Sequence, residues 1–424
     1  MIDGFLPPKR RFDKLPPRDR QHMSNMVVSD HSSDHFRRPE EVAAEEQAQG
    51  AANSDTNAQN SPMPPAKPKR SLKKWLTHLS KKQKILLTAV AVVVVSGSII
   101  GAYFAFFAER DHHPIAVITN QEPKEEEPAK PTTVASSLSG LQVDPSINEL
   151  PVTAVMIENS TDARPQSGLL QASVVFEAIA EGGITRFVTL FQDTEPDYVG
   201  PVRSARPYYI TWLLGFDATY AHAGGSAEAL SLINQWRVKD IPHHNSYYWR
   251  VNNRAAPHNL YTSIAKLREY AGTKGFGKPN FTPLARKDKE QPAATPTAKS
   301  IDLNISSVNF NVHYDYDATS NSYKRSEGGK AHTDEKSGTQ LSPKVVVALI
   351  MPQGKNGLYY TYQTIGSGQV LVFQDGTVTT GTWKKDSNSA NLSFTDANGA
   401  ELKLNPGQTW FTALGEASRV TYAP

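Results

Sequence analysis

From Ile85 to Ala108 the chain reads ILLTAVAVVVVSGSIIGAYFAFFA, without a single charged residue. At 1.5 Å per residue a helix of that length crosses a hydrocarbon layer roughly 30 Å thick with some tilt. A core helix carries a polar stripe and a signal-peptide core is shorter, so the run predicts one transmembrane helix over residues 85–108. Lys67, Lys69, Arg70, Lys73, Lys74, Lys81, Lys82 and Lys84 precede it, whereas Glu109, Arg110 and Asp111 follow it. Positive charge stays on the cytoplasmic side, so the N-terminus is expected in the cytoplasm and the bulk of the chain outside it, as a single-pass protein of the cell membrane.

This topology divides the remainder. Residues 1–66 are rich in Pro, Ser, Asp, Gln and Ala and offer few clustered aliphatic residues to offset ordering entropy, which predicts a disordered cytoplasmic tail. Residues 67–84 form the basic juxtamembrane segment. Residues 109–136 contain PKEEEPAKPTT, a self-repelling, proline-rich spacer. The chain has no cysteine. That excludes disulfides, thiolate metal sites and thiol catalysis, and it excludes a lipid anchor carried on cysteine. The 45 basic and 42 acidic residues nearly balance. The one dense basic run hugs the membrane and lacks interleaved stacking aromatics, so nucleic acid is not an expected partner.

Over residues 137–285 short β-branched segments at 151–157, 172–178, 184–191 and 217–222 alternate with helical patterns at 206–216, 226–236 and 263–270. Such alternation predicts an α/β (α+β) domain. Residues 286–300 read as a linker. Residues 301–424 change texture: strand-like segments at 308–316, 345–351, 357–364, 369–374, 376–384, 390–395 and 410–413, with Asp375-Gly and Asn398-Gly turns, predict a small, mostly antiparallel β domain.

In open α/β sheets ligand clefts form at strand ends, and polar residues gather there in the first domain. They are Arg164 in NSTDARPQSG, Glu177 at the end of one strand, Glu181 in a Glu-Gly-Gly turn, and Arg186 on the strand that follows it. Arg203 and Arg206, in GPVRSARP, straddle a predicted helix start, where free N–H groups and the positive dipole end already favour an anion. Two guanidiniums there suit phosphate or carboxylate; the alternative is that they pair with Glu177 and Glu181 in a structural network. His222 and Ser226, in HAGGS, lie between a strand and a helix, with Ser226 placed to cap and Asp217 a candidate to orient His222. His258 and Asn259 lie in RAAPHNLY, a loop near Trp249 and Arg250. These ten residues form the expected ligand-binding set, with no catalytic residue assigned.

His243 and His244 are adjacent rather than four apart, so no metal site and no cofactor are predicted. Tyr316, Tyr323, Arg325, His332 and Asp334 cluster around Gly328-Gly in the second part, with His332 and Asp334 on one face if extended. No Gly-x-Ser-x-Gly turn, Walker loop or dinucleotide fingerprint occurs.

The phrases PVTAVMIENSTDARPQSGL, AIAEGGITRFVTLFQ, VGPVRSARPYYITW and YAHAGGSAEAL, with APHNLYTS, GTWKK and LNPGQTWF further on, resemble the YerB-like family of bacterial envelope proteins, a domain of unknown function. The resemblance runs from about Ser137 to the C-terminus. It implies an α/β N-terminal fold, a separate C-terminal domain and an extracytoplasmic location, but no mechanism. Many relatives are lipoproteins, whereas this chain has only its apolar helix. The layout is also similar to that of the LytR-CpsA-Psr enzymes, which transfer glycopolymers from polyprenyl-pyrophosphate carriers. That likeness would give Arg186, Arg203 and Arg206 a pyrophosphate to neutralise, with Mg²⁺ beside it. Layout alone does not establish function.

The leading expectation is a membrane-anchored envelope protein that holds an anionic ligand, a wall glycan or a lipid-linked precursor, in an Arg-rich cleft. A phosphotransferase acting on such precursors, with Glu177 or Glu181 as base or metal ligand, is the first alternative. A non-catalytic scaffold that engages other envelope proteins through the C-terminal β domain is the second.

Overall fold

The computed structural model describes residues 132–243 and 246–424. The tail, basic run and apolar helix expected over residues 1–108 lie outside the described residues, as do the spacer to residue 131 and His244. Among the described residues no helix is long and apolar enough to cross a membrane.

A short pair, β1 (Val134–Ala135) and β2 (Gln142–Val143), opens the described chain. Three strands follow, β3 (Thr153–Glu158), β4 (Val174–Ile179) and β5 (Thr185–Phe191), and every residue in them is buried. Nearly continuous apolar strands of this kind need cover on both faces. Next come α1 (Pro207–Leu214), β6 (Thr219–His222), α2 (Ala227–Gln235), β7 (Lys239–Pro242), β8 (Tyr248–Arg250), β9 (Leu260–Thr262) and α3 (Ile264–Thr273). Pro207 starts α1 where its missing N–H costs nothing, and Ser226 and Ser263 cap α2 and α3 by accepting from Ala229 N and Lys266 N.

The second part contributes β10 (Ser300–Leu303), β11 (Val312–Asp317), β12 (Ser322–Glu327), β13 (Lys330–Ala331) and β14 (Val345–Ile350). A hairpin of β15 (Gln353–Asn356) and β16 (Tyr359–Tyr362) follows, then β17 (Gly366–Gln374), β18 (Thr377–Lys385), β19 (Ser393–Asp396), β20 (Thr409–Leu414) and β21 (Val420–Ala423).

Ten strands form one sheet in the order β19-β18-β17-β14-β20-β4-β5-β3-β6-β7. The join between the two parts of the chain is parallel: β20 pairs with β4, Trp410 opposite Val175 and Thr412 opposite Glu177. Five strands form a second, antiparallel sheet, β13-β12-β11-β10-β21. The second part is therefore β-built, as its texture predicts, but it divides its strands between two sheets and shares the larger with the first part. The described protein is mostly β, and the three α-helices are fewer than alternating α/β layers would supply.

Side-chain alternation builds two cores. Ala154, Met156, Val174 and Phe176 face α1 and α2, while Val155, Ile157, Val175 and Phe187 face α3 and its neighbours. Phe176 stacks between Trp212 of α1 at 5.1 Å and Phe411 of β20 at 4.6 Å, so one ring joins both parts of the chain. Burying each such ring is worth about 1.5–3 kcal/mol. A third cluster, including Ile301, Tyr314, Val346 and Phe373, fills the space between the sheets.

Candidate functional site

The β4–β5 turn carries Glu181 ahead of Gly182 and Gly183, both at positive φ (58° and 84°), where glycine is least strained. Arg186 of β5 reaches back to Glu181 Oε1, and its Nη1 donates to Ser204 O at 3.0 Å. Arg206, the residue before α1, donates to Glu181 Oε2 from Nε at 3.0 Å and from Nη2 at 2.7 Å. Burial pushes the Glu181 carboxyl upward, yet Arg186 and Arg206 outweigh it and hold it below the ordinary carboxylate range. Glu181 thus sits as a resident anion in an arginine clamp.

Arg203 turns elsewhere. Its Nε lies 3.3 Å from Glu158 Oε1, and Glu158 also receives His258 Nδ1 at 2.9 Å and Ser160 Oγ at 2.8 Å. Burial raises the Glu158 carboxyl, but His258 and Arg203 bring it below its usual value. The paired-network alternative describes Arg206 with Glu181; Arg203 pairs with Glu158, and its charge also acts on Glu181.

Glu177 lies outside this cleft. It is fully buried, and it accepts from Arg325 Nη2 at 2.8 Å, Thr185 Oγ1 at 3.1 Å and Trp410 Nε1 at 3.2 Å. Arg164 is held by Asn159 Oδ1 at 3.0 Å and Asn309 O at 2.8 Å, with Glu327 Oε1 3.1 Å away. His222 places Nδ1 2.7 Å from Gly224 O and Nε2 2.9 Å from Asp240 Oδ1. Asp240 therefore orients His222, while Asp217 pairs with Lys239 at 2.8 Å. Asn259 accepts from Arg250 Nη1 at 2.7 Å and donates to Val251 O. His332 and Asp334 both meet the Gln166–Gly168 segment, through Gln166 Oε1 at 2.9 Å and Gly168 N at 3.1 Å.

Beside the clamp lies a cavity of ≈ 330 Å³ where the first turns of α1 and α2 converge. Arg206 and Pro207 line it from one helix, Ser226 and Glu228 from the other, and Tyr359, Tyr360 and Tyr362 from the β15–β16 hairpin. The hairpin is bound to the Glu181 turn: Tyr360 N donates to Ala180 O at 3.0 Å, Gly182 N to Leu358 O at 3.3 Å, and Tyr362 Oη accepts from Ile179 N at 3.0 Å. The Arg206 guanidinium sits 5.1 Å from the Tyr359 ring centroid, a cation–π distance. Two helix starts, the face of the Arg206 guanidinium, the Glu228 carboxylate and three phenol rings thus border one cavity.

Of the ten residues singled out from sequence, Arg206 and Ser226 line this cavity, and Glu181 and Arg186 stand behind it. Arg203 and His258 form a neighbouring cluster around Glu158. Glu177, Arg164, His222 and Asn259 belong to other networks. Tyr359, Tyr360 and Tyr362 line the cavity too, and none of them is among the ten. Their signal was the YYTY run in a segment read only as a strand. Among the described residues no group of three or more His, Asp or Glu side chains is placed to hold a metal ion.

Comparison with known proteins bears on the whole described region. Residues 138–277 match the model described as "Protein of unknown function (DUF3048) N-terminal domain", and residues 301–411 match its C-terminal counterpart. YerB of Bacillus subtilis (strain 168), named as a lipoprotein, is 32% identical over 309 residues, covering 70% of this chain and 91% of the relative. The crystal structure of YerB from Bacillus subtilis is similar with a TM-score of 0.63 at 29% identity, covering 69% of this chain and all of that one.

Proposed function

The chain belongs to the DUF3048, or YerB-like, family, and from that membership we propose that it is an extracytoplasmic, membrane-anchored envelope protein that binds a phosphate-bearing saccharide in its tyrosine-lined cavity. The anchor in this reading is the uncharged Ile85–Ala108 run with lysines on its N-terminal side, since the chain has no cysteine for a lipid. The name of the relative, a lipoprotein, supports the same side of the membrane.

One observation carries the ligand class: the starts of α1 and α2 and the Arg206 guanidinium meet Tyr359, Tyr360 and Tyr362 in one cavity. Helix starts favour a phosphate and phenol rings a sugar face, while Arg206, its N–H groups taken by Glu181 and Ala205 O, serves as the cation–π neighbour of Tyr359. The cavity draws its helix walls from the region of the N-terminal family model and its tyrosines from that of the C-terminal one, which gives the shared sheet a role in holding the walls together.

Binding without chemistry fits best. Glu177 is wholly buried and bonded to Arg325, and Glu181 is clamped by two arginines, so neither side chain is placed to take a proton from a substrate. The test uses the full-length protein in detergent with two probes, vesicles containing a polyprenyl phosphate and soluble phosphodiester-linked wall glycan. Wild-type protein is expected to bind one of them, and Tyr359→Ala with Tyr360→Ala to weaken that binding at least tenfold, about 1.4 kcal/mol. Equal binding by wild type and the double variant, or no binding of either probe, would sink the reading.

A further inference from the structure

A second cavity, of ≈ 370 Å³, shares no residue with the tyrosine-lined one. Arg164 and Pro165, from the loop after β3, form one wall. Asn309, ahead of β11, and Glu327, Lys330 and His332, from β12, β13 and the loop that follows, form the rest. Both family regions therefore supply it, and its volume falls at the small end of ligand pockets, roughly 300–1,000 Å³.

The charges of the wall are unevenly committed. Arg164 is fixed: Nε donates to Asn159 Oδ1 at 3.0 Å, Nη2 to Asn159 O at 3.0 Å and Nη1 to Asn309 O at 2.8 Å, and the guanidinium lies 5.0 Å from the Phe310 ring centroid. Glu327 has Arg164 at 3.1 Å and Arg325 at 3.8 Å, while Arg325 also holds Glu177, so two cations face two carboxylates. Lys330, exposed on β13, has no ion-pair partner among the described residues. One uncommitted positive charge at an exposed rim suits a ligand with one negative charge, a carboxylate.

The buried side lacks donors. Glu327 Oε1 accepts from Asn159 Nδ2 at 2.6 Å, but Glu327 Oε2 has no hydrogen-bond partner, and neither has His332 Nδ1, 3.4 Å from it. His332 Nε2 is 2.9 Å from Gln166 Oε1, the acceptor end of an amide whose Nε2 donates to Glu158 O and Asn159 Oδ1, so His332 Nε2 carries the hydrogen. Burial, Arg325 and Arg164 all oppose a second proton on the ring, and Nδ1 presents a lone pair. Two acceptors thus stand side by side without a donor, an arrangement that costs stability until one arrives. Neighbouring hydroxyls of a sugar supply one hydrogen to each, as a single hydroxyl cannot. An ammonium would add a third cation beside Arg164 and Arg325.

We propose that this cavity binds a carboxylate-bearing sugar, with its carboxylate on Lys330 and two ring hydroxyls turned toward Glu327 and His332. The two acceptor atoms are sealed from water, so the ligand reaches them through a small turn of their side chains, and no hydrogen bond at either atom opposes that turn.

The test titrates the full-length protein in detergent calorimetrically with glucuronate and galacturonate. Glucose, which lacks the carboxylate, and cyclohexanecarboxylate, which lacks the hydroxyls, serve as controls. At least one hexuronate is expected to bind saturably, and both controls roughly tenfold more weakly or worse. Lys330 is exposed, so Lys330→Ala keeps the fold, and it is expected to weaken the hexuronate about fivefold or more. Tyr359→Ala with Tyr360→Ala is expected to bind it as wild type does, which keeps this outcome apart from that of the tyrosine-lined cavity. No saturable binding of either hexuronate, unchanged binding by Lys330→Ala, a control that binds as tightly, or loss of binding in the tyrosine double variant would overturn the proposal.

Discussion

Glu177 on β4 and Arg325 on β12 meet at 2.8 Å with both side chains wholly excluded from solvent. One belongs to the ten-stranded sheet and the other to the five-stranded sheet, so the bond fixes how the two layers sit. The Arg325 guanidinium also lies 4.5 Å from the Trp410 ring centroid, on the strand that joins the two parts of the chain. Burial works against the charged guanidinium, but Glu177 outweighs it and raises the pKa further.

Removing one partner of such a pair strands a charge. Arg325→Met is expected to destabilise the protein by about 3–5 kcal/mol, because Glu177 is then buried without its counter-ion. Adding Glu177→Leu to it should recover most of that loss, since two apolar side chains leave no charge stranded. Denaturant unfolding of the two variants checks this. A double variant less stable than Arg325→Met would show that the charges themselves hold the layers.

A different outcome is expected at the arginine clamp. Glu181→Gln removes the resident anion from between Arg186 and Arg206. Its side chain is 25% exposed, so the expected loss, about 2 kcal/mol, is below that of a fully buried pair. The vacated guanidiniums should then take an anion from solution. Phosphate is expected to raise the melting temperature of Glu181→Gln by more than that of wild type, as linked binding requires.

How much of this was legible in the sequence depends on the range of the interaction. β3, β4, β5, α1 and α2 show in the local pattern, because apolar period and capping residues act within a few positions. β10, β12 and β21 do not. SIDL, SYKRSE and VTYA are short and half polar, and they become strands by pairing with one another and with β11. The arginines at the start of α1 could be named as charged groups and Glu181 as a partner for one of them, but Glu158 as the partner of Arg203 could not, since the fold brings it there from the end of β3. The same holds for Tyr359, which reaches Arg206 from more than 150 positions away.

Acid should act on the clamp and on Glu158 together. Both carboxyls lie below their ordinary value of 4.5 despite burial, Glu158 through His258 and Arg203, Glu181 through Arg186 and Arg206. Depressed acids contribute stability that is complete above the unfolded value and is lost as pH falls through the folded one. Melting temperature is therefore expected to drop below about pH 4.5, more shallowly in Glu181→Gln. A variant that drops as steeply as wild type would remove Glu181 from the acid response.

Ser226 offers a way to separate folding from binding at the cavity. Its Oγ accepts from Ala229 N at 3.2 Å and caps α2, and the same residue lines the cavity wall. Ser226→Ala should cost about 1 kcal/mol of stability by losing the cap. Ser226→Asp restores an acceptor at the cap and adds a favourable charge at the positive end of the helix, so its stability should match or exceed wild type. That carboxylate would stand where a ligand phosphate is expected. Ser226→Asp should therefore fold well yet bind the phosphate-bearing probe more weakly than Ser226→Ala, and parallel titrations of the two variants decide it. Undiminished binding by Ser226→Asp would mean that the helix starts do not hold the anion.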